Sequence, residues 1–170
     1  MTKESTISIS RPFGPSIAKV QIPQELVENL NDYVDKIIKD ENKIKNQDNG
    51  SNLVGNVTQE FVIEKNYLKS SGLLKFLGNS TGHWIKYAGL GEIKNFQILK
   101  SWIVRQFKNE YNPTHWHSGH VSGVGYLKVP KDLGKPFQES KKENLNGKLE
   151  LIHGSKMFLC NSTLKITPKV

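Results

Sequence analysis

The run Asn112-Pro113-Thr114-His115-Trp116-His117-Ser118-Gly119-His120-Val121, continued by Ser122-Gly123-Val124-Gly125-Tyr126-Leu127-Lys128-Val129-Pro130, decides how this chain is read. Three of its five histidines fall within six positions. On extended backbone, residues i and i+2 project from one face, so His115 and His117 converge on one point. Two neutral imidazoles aimed at one point can hold Fe(II), Zn, Cu or Ni, and the ligand type alone does not select the metal. The same spacing also suits two surface histidines beside a tryptophan. Val121–Val129, closed by Pro130, reads as a strand.

Upstream of this run, Asn95 to Lys108 is rich in Phe, Ile, Trp and Val and predicts a long strand. Downstream, Lys131 to Asn146 is polar and reads as a loop, whereas Lys148–His153 and Met157–Thr167 predict further strands. The first half follows a different period. Leu26, Val27, Leu30, Val34, Ile37 and Ile38 recur at three- and four-residue steps behind Pro23, which predicts an amphipathic helix. Lys39 to Asn52 is expected as a loop with a turn at Asn49-Gly50. Leu53–Leu68 reads as strand and loop. Leu73 to Ala88 reads as one or two helices interrupted near Gly78–Gly82. Residues 1–22 read as an irregular lead-in and a short strand. Helices followed by strands predict an α+β fold in one domain spanning 1–170, with 1–94 a helical buttress and 95–170 a strand-built core.

Composition narrows the classes. The chain has 170 residues, 24 Lys+Arg against 16 Asp+Glu, a net charge of +8 and one cysteine, Cys160. One cysteine excludes an internal disulfide framework and a Cys-rich zinc site. There is no apolar run of the roughly 20 residues that span a bilayer, and Met1–Ser5 does not resemble a signal peptide, so a cytoplasmic protein with no membrane partner is expected. The charge is carried by scattered lysines and only two arginines, Arg11 and Arg105, which argues against a nucleic-acid partner.

The string Tyr111–Pro130 resembles the core motif of a family of 2-oxoglutarate- and iron(II)-dependent oxygenases found in bacteria and marine phages. There an Asn precedes His-x-His, followed by a Ser-Gly-Val-x-Tyr strand ending in Pro. The likeness extends to Ile98–Trp102 and Gly147–Ile152. The resemblance implies a double-stranded β-helix, or jelly roll, that binds Fe(II), takes 2-oxoglutarate as cosubstrate and hydroxylates a substrate; if viral, it would work in the host cytoplasm. It puts the iron on His115 and His117. His120 and His153 are alternative ligands, Tyr126 and Lys148 are candidates for cosubstrate contact, and Asn112 for orienting the histidine loop. Two departures stand out. Where the superfamily pattern is His-x-Asp/Glu, this chain has His117, so the charge at the metal differs by one unit. The arginine expected to clamp the far carboxylate of 2-oxoglutarate is absent after Arg105.

The jelly roll is therefore expected to be incomplete, the chain being a C-terminally truncated or split oxygenase whose remaining strands are supplied separately or by a partner chain, and its open sheet edges predict an oligomer. A cupin-like metal protein without 2-oxoglutarate and a basic structural or nucleic-acid-associated module are the other readings. The substrate is not legible.

Overall fold

The computed structural model describes residues 7–10, 14–136, 140, 143–154 and 163–170. Its elements in chain order are β1 (Ile7–Ser10), β2 (Ile17–Val20), α1 (Gln24–Ile38), α2 (Glu41–Gln47), a 3-10 turn (Gly50–Asn52), β3 (Gln59–Val62), α3 (Lys65–Ser70), α4 (Leu73–Tyr87), β4 (Trp102–Arg105), β5 (Leu149–Ile152) and β6 (Thr163–Ile166). The chain divides into two compact units, one of residues 23–124 and one of residues 1–22 with 125–170. No helix among the described residues is long and apolar enough to cross a membrane.

In the unit of residues 23–124, α1 forms as its apolar spacing predicts. The Pro23 carbonyl accepts from Leu26 N and Val27 N, Glu25 lies in the first turn and Lys36 in the last, each suited to the helix dipole. Its buried stripe is Leu26, Val27, Leu30, Val34 and Ile37. Burying each of these side chains contributes about 1.5–3 kcal/mol before entropy is counted. Phe61 and Ile63, Leu68, Leu73, Ala88 and Ile103 complete the buried apolar set.

β3 and β4 pair antiparallel in the register Gln59↔Arg105, Glu60↔Val104, Phe61↔Ile103 and Val62↔Trp102. Directly opposed residues share a face, so Phe61 and Ile103 mark the buried side of the ladder. Glu60, Val62, Trp102 and Val104 lie on the other. Among its described residues, the unit of residues 1–22 and 125–170 holds two ladders, β1 with β2 and β5 with β6, both antiparallel.

Mixed helix and antiparallel sheet is thus the observed class, but several expected boundaries move. Lys39–Asn52 is not all loop. The Asp40 side chain accepts from Asn42 N at 3.0 Å and Lys43 N at 3.3 Å, and this cap starts α2 in a polar sequence that has little apolar period. The 1–22 region carries two strands rather than one.

Leu73–Tyr87 is a single helix that passes through Gly78 and Gly82 without interruption. Each glycine costs about 1 kcal/mol against alanine in a helix. The 93–96 segment packs over them: a Cβ on Gly78 would make van der Waals contact with the Phe96 ring at 3.4 Å, and one on Gly82 with the Ile93 side chain at 3.9 Å.

The largest correction concerns the second half. Asn95–Lys108 contains only the four-residue β4, and Val121–Val129 forms no strand. Three separate two-stranded sheets are present among the described residues, with no closed barrel. β-branched and aromatic residues favour a pleated, half-buried surface, but a strand exists only where another strand takes its hydrogen bonds. Asn112 to Tyr126 finds no such main-chain partner among the described residues, and Val121 and Val124 are exposed. Most of Met157–Thr167, with Cys160, lies outside the described residues, as does Arg11.

Candidate metal centre

The histidine loop leaves the β3–β4 ladder through a braced corner. Asn56 and Tyr111 exchange main-chain hydrogen bonds of 2.8 and 3.3 Å. Glu110 ties both sides together: its Oε1 accepts from Thr58 N at 3.0 Å and Thr58 Oγ at 2.6 Å, and its Oε2 accepts from Phe107 N at 2.7 Å. The Thr58 side chain, then the Phe107 and Thr58 amides, hold the Glu110 carboxyl below its ordinary value of 4.5. Next to this corner the Asn112 carboxamide lies against Gly55, where any Cβ would overlap it, so the loop's first residue is seated on bare backbone.

Glu110 gives a pH signature. Because its folded value is depressed, its stabilisation is present above pH 4.5 and fades as pH falls through the lower folded value. Glu110→Gln should lower the melting temperature at neutral pH, and the gap to the wild type should close in acid. A gap of constant size down to pH 3 would contradict the assigned bonds.

Beyond the corner the two predicted rings meet. His115 Nε2 and His117 Nε2 are 3.0 Å apart, with ring centroids at 4.6 Å and planes at 87°. His115 Nδ1 lies 2.7 Å from the Pro113 carbonyl oxygen. A carbonyl only accepts, so Nδ1 carries the proton and Nε2 of the neutral ring presents its lone pair. Metal-bound histidines are fixed in this way, with the far ring nitrogen donating to a carbonyl or carboxylate. His117 rests its ring on Trp102, centroids 5.4 Å apart and tilted by 53°. Burial, then the neighbouring His115, pushes the His117 imidazolium below its ordinary value of 6.5, which favours the neutral, ligating form.

These residues fit a divalent cation. Bonds of about 2.1 Å from one ion to two imidazole nitrogens at right angles place those nitrogens about 3.0 Å apart. The observed 3.0 Å is a hydrogen bond between the two nitrogens, and it is also the spacing two such ligands would have. Among the described residues, however, no group of three or more His, Cys, Asp and Glu side chains is arranged to hold a metal ion.

The remaining predicted residues fall elsewhere. His120 is exposed and makes no ring or hydrogen-bond contact with the pair among the described residues. Tyr126, Lys148 and His153 belong to the other compact unit. Tyr126 is half-buried, and burial raises its hydroxyl above the ordinary value of 10.0. Lys148 Nζ is paired with Glu143 Oε1 at 2.9 Å, and Lys165 holds the other Glu143 oxygen at 3.1 Å. His153 follows β5, its Nε2 3.8 Å from where a Cβ on Gly14 would lie.

Sequence reasoning missed three residues around the histidines: Glu110 in the corner, Trp102 as the support of His117, and Glu60. Glu60 is buried on the same face of the ladder as Trp102, and its Oε2 has no hydrogen-bond partner. A lone carboxylate abutting Phe61-Val62-Ile63 is the one sequence signal that marks it.

Residues 100–170, which include both histidines, match the family described as "Putative 2OG-Fe(II) oxygenase". That match supports a 2OG-Fe(II) oxygenase-like family for this part of the chain, and the family implies Fe(II) and 2-oxoglutarate. No curated protein and no solved structure matches the chain.

Proposed function

We propose that the chain acts as a non-haem iron, 2-oxoglutarate-dependent oxygenase of the hydroxylase type, with His115 and His117 as two of the iron ligands. The observation that carries this is the 3.0 Å approach of two Nε2 atoms, one with its proton fixed on the opposite nitrogen, inside the segment that matches the oxygenase family. Fe(II) and 2-oxoglutarate, when bound, supply the O₂ activation that oxidises a substrate C–H bond as the cosubstrate loses CO₂.

The chain's own residues prepare the site. Pro113 fixes the His115 tautomer, so the proton between the two nitrogens belongs to His117 Nε2. Presenting Nε2 of His117 to a cation requires the proton of the neutral ring to move to Nδ1. Burial and the neighbouring ring already disfavour a second proton there. The Trp102 ring limits rotation of His117. Asn112, set against Gly55, and Glu110, bound to Thr58 and Phe107, fix where the loop begins. The family match is consistent with a double-stranded β-helix, while the described ladders form no closed barrel.

Anaerobic titration with Fe(II) and 2-oxoglutarate tests the proposal. A visible charge-transfer band that needs both components is expected. Metal uptake without the band would favour a cupin-like metal site that takes no 2-oxoglutarate, and absence of metal uptake would contradict both.

A further inference from the structure

Glu60 is 1 % exposed, and its Oε2 makes no hydrogen bond. Leaving a carboxylate dry and unpaired is among the costliest arrangements a fold can keep. Its surroundings make matters worse: burial, then Asp48, then Glu110 push its carboxyl above the ordinary value of 4.5, and only His115 acts the other way. Rule-breaking positions of this kind are where function is expected.

The ladder register indicates which function. Glu60 stands opposite Val104, and Val62 opposite Trp102, so Glu60 and Trp102 are diagonal neighbours on one face. The His117 ring lies on Trp102, and His115 contacts His117. The buried carboxylate therefore sits on the same sheet face that supports the histidine pair. A divalent ion held by two neutral imidazoles receives no charge compensation from those ligands, and Glu60 is the buried carboxyl on the ladder face of Trp102 whose Oε2 has no hydrogen-bond partner.

We infer that Glu60 is a positioning carboxylate of the metal centre, supplying negative charge from behind His115 without coordinating the ion. The inference rests on the metal-site reading above.

The test uses the full chain and Fe(II) alone, titrated anaerobically, with Glu60→Gln as the near-isosteric neutral variant. Its affinity for Fe(II) should fall tenfold or more, the range typical of groups behind metal ligands. The melting temperature of metal-free Glu60→Gln in mildly alkaline buffer should rise, because a buried unpaired charge is gone. A residue that only supports the fold would not produce this opposite pair of effects. Glu110→Gln, which removes a carboxylate already satisfied by hydrogen bonds, should weaken Fe(II) binding less than Glu60→Gln. Unchanged Fe(II) affinity in Glu60→Gln, a lower melting temperature, or an equal loss in Glu110→Gln would each overturn the inference. If the wild type takes up no Fe(II), or His117→Ala takes up as much as the wild type, the metal-site reading itself fails and the inference falls with it.

Discussion

Replacing His117 by alanine should reduce affinity for a divalent metal by more than about 100-fold, beyond the 10–100-fold loss typical of outer groups. His115→Ala should do the same. Both residues are exposed, with one Pro113 hydrogen bond and one Trp102 contact at stake, so the substitutions should cost no more than about 1 kcal/mol of stability. His120→Ala is the internal control, three residues along and out of contact with the pair, and should bind metal as the wild type does. Isothermal titration with Co(II), or with Fe(II) under nitrogen, reads all three. Equal affinity in His117→Ala and wild type would remove the basis for a metal centre here, whatever the rest of the fold does.

The second large effect is on stability. Phe61 is 1 % exposed on the buried side of the β3–β4 ladder, opposite Ile103. Phe61→Ala should cost about 3–5 kcal/mol, from lost burial and the cavity left behind. Against a total of about 5–15 kcal/mol for a typical domain, that loss brings the unit close to unfolding at room temperature. Val62, the next residue, is 41 % exposed on the opposite face, and Val62→Ala should stay within about 1 kcal/mol. Urea unfolding monitored by tryptophan fluorescence separates the two. Similar midpoints for both variants would mean that the face assignment of the ladder is wrong, and with it the placement of Glu60.

What was legible in the sequence is what local chemistry controls. The stripe Leu26, Val27, Leu30, Val34, Ile37 and Ile38 was readable because a helix buries its own period; the first five are buried and Ile38 is half-buried. The convergence of His115 and His117 was readable because it needs only extended backbone between i and i+2. Long-range partners were not readable. The Val121–Val129 run has strand composition, yet no ladder takes it up among the described residues. Gly78 and Gly82 look like helix breakers until Ile93 and Phe96 are seen packed on them. Nothing in the sequence around Trp102 signals that its ring lies against His117.

Glu60 is the clearest case. It is buried although Val104 opposite it is exposed: Asn49 N donates to its carbonyl at 2.8 Å and Gly50 stands beside its Oε2, while its face is set by the register with β4. No local pattern encodes that register.

The most direct measurement is X-ray absorption at the metal edge of the iron-loaded chain, kept anaerobic, for the wild type and for the double variant His115→Ala, His117→Ala. Scattering from two imidazole rings around one iron is expected in the wild type, and its loss in the variant. Iron bound without imidazole scattering, or with scattering that the double variant retains, would contradict the assignment.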